Sequence, residues 1–260
     1  MQKIKNYVKE SLEHNRIRRW NKKDIYVHIT EITYPEYKKE QAEYIALLKR
    51  GLNCWNKILN NKMRFIITNN ASDADISVRF IRVSTQYWGM CCYDSVVNSE
   101  FKKLTIKLGV TNEFCNSKLN SNDKYVIILH EFGHAIGLGH CDESCKNIMT
   151  PGYYPTKNWI SINDYITANI IYDLPKGAYY SDIENEISKL ESKYLTQKTT
   201  QNPTPKEQPE DSNILENLEE IGNLKLWKMN IESSIKLPDN FKNKIRDISI
   251  QNNEQKKSGD

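Results

Sequence analysis

Residues 130–140 read HEFGHAIGLGH, and this stretch holds three of the five histidines in the 260-residue chain. His130 and His134 are four residues apart, so on an α-helix their side chains lie one turn apart on the same face. Both imidazoles can then reach a single zinc ion from a rigid support. The spacing therefore predicts two zinc ligands on one helix.

A third ligand, His140, cannot come from extending that helix. Six further residues would carry it about 9 Å along the helix axis and turn it away from the metal. Gly137 stands where the chain must leave the helix and double back, because glycine enters the left-handed region without steric cost. Three nitrogen ligands and an open fourth position for water are typical of a catalytic zinc site rather than a structural one.

Glu131 is adjacent to the first ligand and points to the side of the metal where a bound water could lie. We therefore predict that it is a general base and not a ligand. Residues 124–129 read KYVIIL, which predicts a buried helix, and the residues before them are good N-cap candidates: Ser121, Asn122 and Asp123. The pattern HExxH alone also occurs by chance on surface helices, but the added glycine and third histidine favour a functional zinc site.

The stretch HEFGHAIGLGH fits the HExxHxxGxxH signature of the metzincin metalloproteases. Downstream, Met149–Tyr153 reads MTPGY and resembles the M-x-P-x-Y turn of the matrixins, the matrix-metalloproteinase-like family or peptidase M10. This resemblance implies that Met149 forms a packed floor beneath the zinc. It also implies that Tyr153 lines the pocket for the side chain after the scissile bond. The alternative for Tyr153 is an aromatic side chain that packs the turn.

Four other segments resemble matrixin segments in the right order. They are a first strand at 20–30, a long helix leading into a strand at 42–68, a strand at 72–80 and a final helix at 161–175. The resemblance implies a mixed α+β metzincin catalytic domain over residues 20–175. Its expected parts are a mostly parallel five-stranded twisted sheet, two long helices, a zinc helix, a Met-turn and a C-terminal helix. The implied activity is that of a zinc-dependent metalloendopeptidase.

In this family the substrate peptide lies extended along the edge strand of the sheet. The matching segment here is Tyr87–Tyr93, YWGMCCY, so we predict that the substrate pocket includes Gly89, Met90 and Cys91. The alternative is a strand or loop whose aromatic side chains contact the core.

The chain departs from the matrixin pattern after the third histidine. Cys141 stands where matrixins usually carry serine, and with Cys145 it gives HCDESC, which resembles the archaemetzincin signature. We predict either isolated thiols or a disulfide between Cys141 and Cys145. A second zinc held by these two cysteines with Cys91 and Cys92 is the weaker alternative, because no CxxC pair is present.

The usual matrixin structural zinc cannot be built in its ordinary form, because no histidine lies between His28 and His130. Nor does the sequence contain the acidic run that binds calcium in that family. We therefore expect one catalytic Zn²⁺ and neither of the structural metal sites.

Composition indicates a soluble globular protein, with 38% hydrophobic and 27% charged residues. The net charge of +4 is modest and the basic run RIRR at 16–19 is short, so no nucleic-acid partner is predicted.

No apolar run approaches the roughly 20 residues of a membrane span. The first 19 residues lack the apolar core of a secretory signal, which favours a cytoplasmic location, leaderless secretion or a signal already removed.

Outside the catalytic region, residues 1–19 are predicted to form an N-terminal helical extension and residues 176–195 an amphipathic helix. Residues 196–213 contain three prolines and have the composition of a flexible linker. Residues 214–260 are expected to be a short helical or disordered tail, too small to bury a core alone, that docks back or binds an unknown partner.

The predicted function is hydrolysis of peptide bonds in a protein or peptide substrate through a zinc-bound water activated by Glu131. The alternative is an inactive metzincin-like zinc domain that binds peptides or a protein partner through the same cleft. The intact Glu131 favours the enzyme, since an inactive site has no need of that base.

Overall fold

A computed structural model describes residues 4–83, 87–113, 117–141, 147–151 and 160–200. The described part of the chain forms five α-helices and six strands. In chain order they are α1 (Ile4–Glu10), β1 (Asp24–Ile29), α2 (Gln41–Leu59), β2 (Arg64–Thr68), β3 (Ile76–Val83), β4 (Gly89–Val97), β5 (Glu100–Asn112), β6 (Ser117–Lys118), α3 (Ser121–Ala135), α4 (Ile162–Asp173) and α5 (Tyr180–Thr200). A 3-10 helix, Pro35–Glu40, leads into α2.

The strands form one sheet in the order β2-β1-β3-β5-β4. β1 runs parallel to β2 and β3, and β3 runs parallel to β5, whereas β4 is antiparallel to β5. Parallel neighbours need a crossover connection, and α2 supplies the one between β1 and β2. The predicted mixed α+β fold with a mostly parallel five-stranded sheet is confirmed. The two-residue β6, which pairs with β5, is an addition too short to leave a pattern in the sequence.

β4 and β5 form a hairpin whose turn residues, Asn98 and Ser99, have φ angles of 50° and 60°. Two consecutive residues with positive φ are typical of the type I′ turn, whose twist suits a tight hairpin. Within the described residues β4 pairs only with β5, so its other edge is open. The segment predicted to be the edge strand therefore does lie at the edge of the sheet.

Helix α3, which carries His130 and His134, is held against its neighbours by two tryptophans. Trp55 of α2 donates from Nε1 to Leu129 O at 3.1 Å, and Trp20 donates from Nε1 to Ala135 O at 2.8 Å. Both indoles are fully buried. Each buried indole N–H is bonded to a backbone oxygen of α3. These hydrogen bonds therefore fix where α3 lies in the core, in addition to the packing of the rings.

α3 begins with a capping box. The Asn120 side chain accepts from Asp123 N at 3.0 Å, and Asn120 N donates to Asp123 Oδ2 at 3.0 Å. The N-cap is therefore Asn120 and not one of the three predicted candidates, Ser121, Asn122 and Asp123. The reason is spacing, since Asp123 can close a capping box only with the residue three positions before it.

The N-terminal segment, residues 4–18, packs on the same core as the sheet domain. Tyr7 of α1 is buried, and its hydroxyl donates to Asp164 Oδ1 of α4 at 2.6 Å. Asp164 also closes a capping box with Ser161, and burial raises the pKa of its carboxyl to about 6. Ile17 O accepts from Gly177 N at 2.9 Å. The segment is thus held to α4 and to the chain that follows it.

Helix α5 buries Ile183, Ile187 and Tyr194 along one face, as expected of an amphipathic helix. It continues to Thr200, beyond the predicted end at residue 195 and into the segment predicted to be a flexible linker. No proline occurs within α5 or before Pro203 to end the helix, which accounts for the extension.

Residues 201–213 and the tail at 214–260 lie outside the described residues. Among the helices of the described residues, none combines the length and the apolar character of a membrane span.

Candidate active site

The three predicted ligands converge on one point. The Nε2 atom of His134 lies 3.1 Å from that of His130 and 3.2 Å from that of His140, and the third pair is 3.3 Å apart. In a tetrahedral site with zinc–nitrogen bonds of about 2.0–2.1 Å, ligand nitrogens are roughly 3.3–3.4 Å apart. The three imidazoles therefore fit a zinc ion with little movement.

Gly137 makes the turn that brings the third ligand back. Its φ angle is 101°, and its amide donates to His134 O at 2.9 Å while Leu138 N donates to Gly133 O at 3.0 Å. This pair of hydrogen bonds is a Schellman motif, which ends a helix at a left-handed residue and satisfies its last carbonyls. The predicted role of Gly137 is confirmed.

Two of the ligand rings have a fixed tautomer. His130 Nδ1 lies 2.7 Å from Ile148 O, and His134 Nδ1 lies 2.8 Å from Leu138 O. Because a carbonyl oxygen only accepts, each Nδ1 carries the proton and each Nε2 presents its lone pair. Burial lowers the pKa of His130 to about 4 and that of His134 to about 3, and it also lowers the pKa of His140. All three rings are thus neutral at pH 7, the form that binds metal.

Glu131 lies between α3 and the edge strand. Its side chain is buried, and the backbone amide of Cys91 donates to its carboxylate. Burial raises the pKa of this carboxyl to about 8, and a divalent cation on the neighbouring imidazoles would lower it. A Cβ at Gly89 would lie 2.6 Å from Glu131 Oε1, so only glycine leaves room for the carboxylate here. The structure therefore brings Glu131, Gly89 and Cys91 together.

We expect Gly89→Ala to lower turnover about 10- to 100-fold while zinc binding is retained. The added methyl would also lie 2.6 Å from Ile127 Cγ2, so the carboxylate of Glu131 must shift. Because the sequence predicts Glu131 to be the general base, a displacement of about 1 Å should cost roughly that much turnover. The measurement is kcat/KM on a peptide substrate beside the zinc content of both proteins. An unchanged kcat/KM would show that the close contact between Gly89 and Glu131 has no bearing on the predicted general base.

Met149 is fully buried beneath α3. A Cβ at Gly133, the residue before His134, would overlap the Met149 sulfur. The sulfur thus packs directly against the backbone of α3, where the matrixin resemblance predicts a supporting methionine. Of the other residues predicted for the substrate pocket, Met90 is 47% exposed on β4, and Tyr153 lies outside the described residues.

Asn147 is a site residue that the sequence patterns missed. It is buried, and its side-chain oxygen accepts from Met149 N at 3.1 Å and from the Cys141 thiol at 2.8 Å. Its side-chain nitrogen donates to Ser161 Oγ at 2.9 Å, and Cys141 N donates to Met149 O at 3.0 Å. Asn147 therefore ties the residue after the third ligand to the Met-turn and to the cap of α4. The one available signal was an asparagine two residues before the methionine, a position suited to an Asx-type turn.

The cysteines take different positions around the site. The Cys141 thiol is buried and donates to Asn147, and burial raises the pKa of the Cys91 thiol on β4. Cys145 lies outside the described residues. The disulfide between Cys141 and Cys145 therefore stays a prediction.

A cavity of about 240 Å³ opens beside two of the ligands. Its walls come from the end of the N-terminal segment, from the edge hairpin and from the third-ligand loop: Glu10, Ser11, Leu12, Glu13, Arg18, Tyr93, Phe101, His134, Gly137, Leu138, Gly139 and His140. Pockets for separate small molecules usually measure about 300–1,000 Å³. This cavity is therefore smaller than a typical small-molecule pocket.

The fold and the site together define the class, a mixed α+β domain whose HExxHxxGxxH stretch brings together three histidines that could hold a metal ion. A model of the matrixin family, peptidase M10, matches residues 19–173, more than half of the chain. The chain therefore belongs to the matrixins, a family of zinc metalloproteases. No curated protein shows a significant match to it.

Proposed function

We propose that this protein is a zinc-dependent metalloendopeptidase. The observation that carries the proposal is the convergence of three neutral imidazole Nε2 atoms within 3.1–3.3 Å of one another, with a buried carboxylate next to the first ligand. His130, His134 and His140 would hold the zinc. Bound zinc would lower the pKa of a water toward ~7 and polarise the scissile carbonyl.

Glu131 performs the proton transfers in this proposal. Its carboxylate accepts the proton of the attacking water and later donates it to the leaving amine. Enclosure between α3 and β4 supports this role, because a buried carboxylate has few competing partners and binds a proton readily. The Cys91 amide keeps the carboxylate oriented while it exchanges the proton.

The open edge of β4 supplies the substrate-binding surface. An extended peptide can pair with it through main-chain hydrogen bonds, and alternate side chains then face the zinc helix or solvent. Met90 and Tyr93 are both exposed on this strand, and Tyr93 donates from its hydroxyl to His134 O at 3.1 Å. The strand runs from Gly89 beside Glu131 to Tyr93 beside His134, and this course supports a peptide bound across the metal.

The test is cleavage of a quenched fluorescent peptide library, with the zinc content of the same preparation measured in parallel. We expect cleavage by the zinc-loaded protein, its loss on treatment with a chelator and its return when Zn²⁺ is restored. A protein that holds one zinc and binds library peptides but cleaves none would instead be an inactive zinc domain. Correctly folded protein that takes up no zinc from excess Zn²⁺ would refute both functions.

A further inference from the structure

The third ligand is held differently from the first two. His130 and His134 are each oriented by a hydrogen bond from ring Nδ1 to a backbone carbonyl. Within the described residues, no such bond to His140 Nδ1 is present, and this ring is also the most exposed of the three. Metal-ligating histidines usually rely on a second hydrogen bond for orientation. The position of His140 must therefore be set by other contacts.

The backbone on each side of His140 is fixed by hydrogen bonds. Gly139 N donates to Ser11 Oγ at 2.9 Å, and Cys141 N donates to Met149 O at 3.0 Å. The second bond joins the ligand loop to the Met-turn. The first joins it to the N-terminal segment, 128 residues earlier in the chain.

The Ser11 hydroxyl is itself oriented. It donates to Tyr7 O at 2.9 Å, so its oxygen lone pairs remain to accept the Gly139 amide proton. The two backbones are also in close contact, because a Cβ at Gly139 would overlap the carbonyl oxygen of Glu10. Ser11 thus sits at a tight crossing between the end of α1 and the ligand loop.

Ser11 is held by hydrogen bonds to buried residues of α1. Its own amide donates to Tyr7 O and Val8 O at 3.1 and 3.0 Å, and Tyr7 is bonded through its hydroxyl to Asp164 of α4. Tyr7 and Val8 are buried. All of these N-terminal residues precede residue 19, where the match to the matrixin family begins. The family pattern therefore gives no role to this support.

We propose that Ser11 is a positioning residue for the metal site, and that it holds His140 in place through the amide of Gly139. The proposal concerns metal affinity and coordination geometry, so it can be tested whether or not the protein cleaves peptides.

The test is the zinc affinity of Ser11→Ala, measured on the full chain by competition with a chromophoric chelator. Loss of the acceptor leaves the Gly139 amide without its partner and frees the ligand loop, and loss of supporting groups around a metal typically lowers affinity about 10- to 100-fold. We expect a reduction of about 10-fold. The Co²⁺-loaded variant should also show a changed visible absorption spectrum, because the third nitrogen no longer holds the tetrahedral geometry.

Two variants serve as controls. Ser11→Thr keeps the hydroxyl and should restore both zinc affinity and the Co²⁺ spectrum of the parent. Ser192 of α5 also donates its hydroxyl to the carbonyl four residues earlier, Ser188 O, at 3.0 Å. Ser192→Ala therefore removes the same kind of local bond with no link to the ligand loop, and it should bind zinc as the parent does.

The proposal is overturned if Ser11→Ala binds zinc as tightly as the parent, or if Ser192→Ala loses as much affinity. It is also overturned if Ser11→Ala lowers the melting temperature of the metal-free protein while the Co²⁺ spectrum stays unchanged, since that result describes a purely structural serine. If Ser11→Ala does not fold, Ser11→Cys offers a similar shape with a weaker acceptor, and the same comparisons apply.

Discussion

Glu131→Gln should keep its zinc and lose peptide hydrolysis by roughly 10²- to 10⁴-fold, the usual contribution of a general acid–base group. Glutamine has nearly the same shape as glutamate and can still accept the Cys91 amide. It cannot take a proton from water. The three imidazoles that would hold the metal are untouched, so binding and turnover should separate in this variant.

The measurement pairs kcat on a cleaved library peptide with the zinc content of each protein. Glu186→Gln is the matched control, because Glu186 lies exposed on α5, where it pairs with Lys189. The same substitution there should leave both values unchanged. If Glu131→Gln cleaves as fast as the parent, then Glu131 is not the base. If it loses zinc as well, its main role is structural.

Gly137→Ala should destabilise the protein by about 2–4 kcal/mol and weaken zinc binding. A φ angle of 101° is strained for any residue with a Cβ, and the new methyl would lie 2.8 Å from the backbone oxygen of Arg18. Relief of that contact requires movement of the ligand loop away from the N-terminal segment. Because the loop carries His140, stability and metal affinity should fall together.

Gly177→Ala separates the effect of backbone strain from the effect of steric overlap. Gly177 also has a positive φ angle, 79°, but a Cβ there would meet only the Ser99 side chain, at 3.6 Å or more. This variant has the backbone strain without the steric overlap, so we expect a loss of about 1–2 kcal/mol and unchanged zinc affinity. Urea unfolding of the metal-free proteins and chelator competition give the two quantities. Equal effects of the two substitutions would mean that the contact with Arg18 is unimportant.

The convergence of the three histidines could be predicted from the sequence because their geometry is local. Helix geometry fixes the position of His134 relative to His130, and Gly137 makes the turn that leads to His140. The mixed α+β fold with a mostly parallel sheet could be predicted for another reason. It came from the likeness of whole segments to matrixins, since periodicity alone cannot say whether neighbouring strands are parallel.

The residues that were missed act over long separations. Asn147 is a polar residue in a turn, and only the folded structure shows its bonds to Cys141, Met149 and Ser161. Ser11 contacts Gly139 across 128 residues, so no spacing rule connects them. The N-cap of α3 was misplaced for a simpler reason. Several consecutive residues were all suitable caps, and the side chain of Asp123 decided among them.

The docking of the N-terminal segment has a consequence for synthesis on the ribosome. The Tyr7 hydroxyl donates to Asp164, and the Ile17 backbone bonds to Gly177 and Ala178. Closure of such distant contacts must wait until nearly the whole domain has emerged, because the chain is made from its N-terminus. A nascent chain that stops before α4 can contain all three histidines and still lack the anchor of its first helix. The hydrogen bonds that hold the first helix therefore form only after α4 and the residues that follow it have been synthesised.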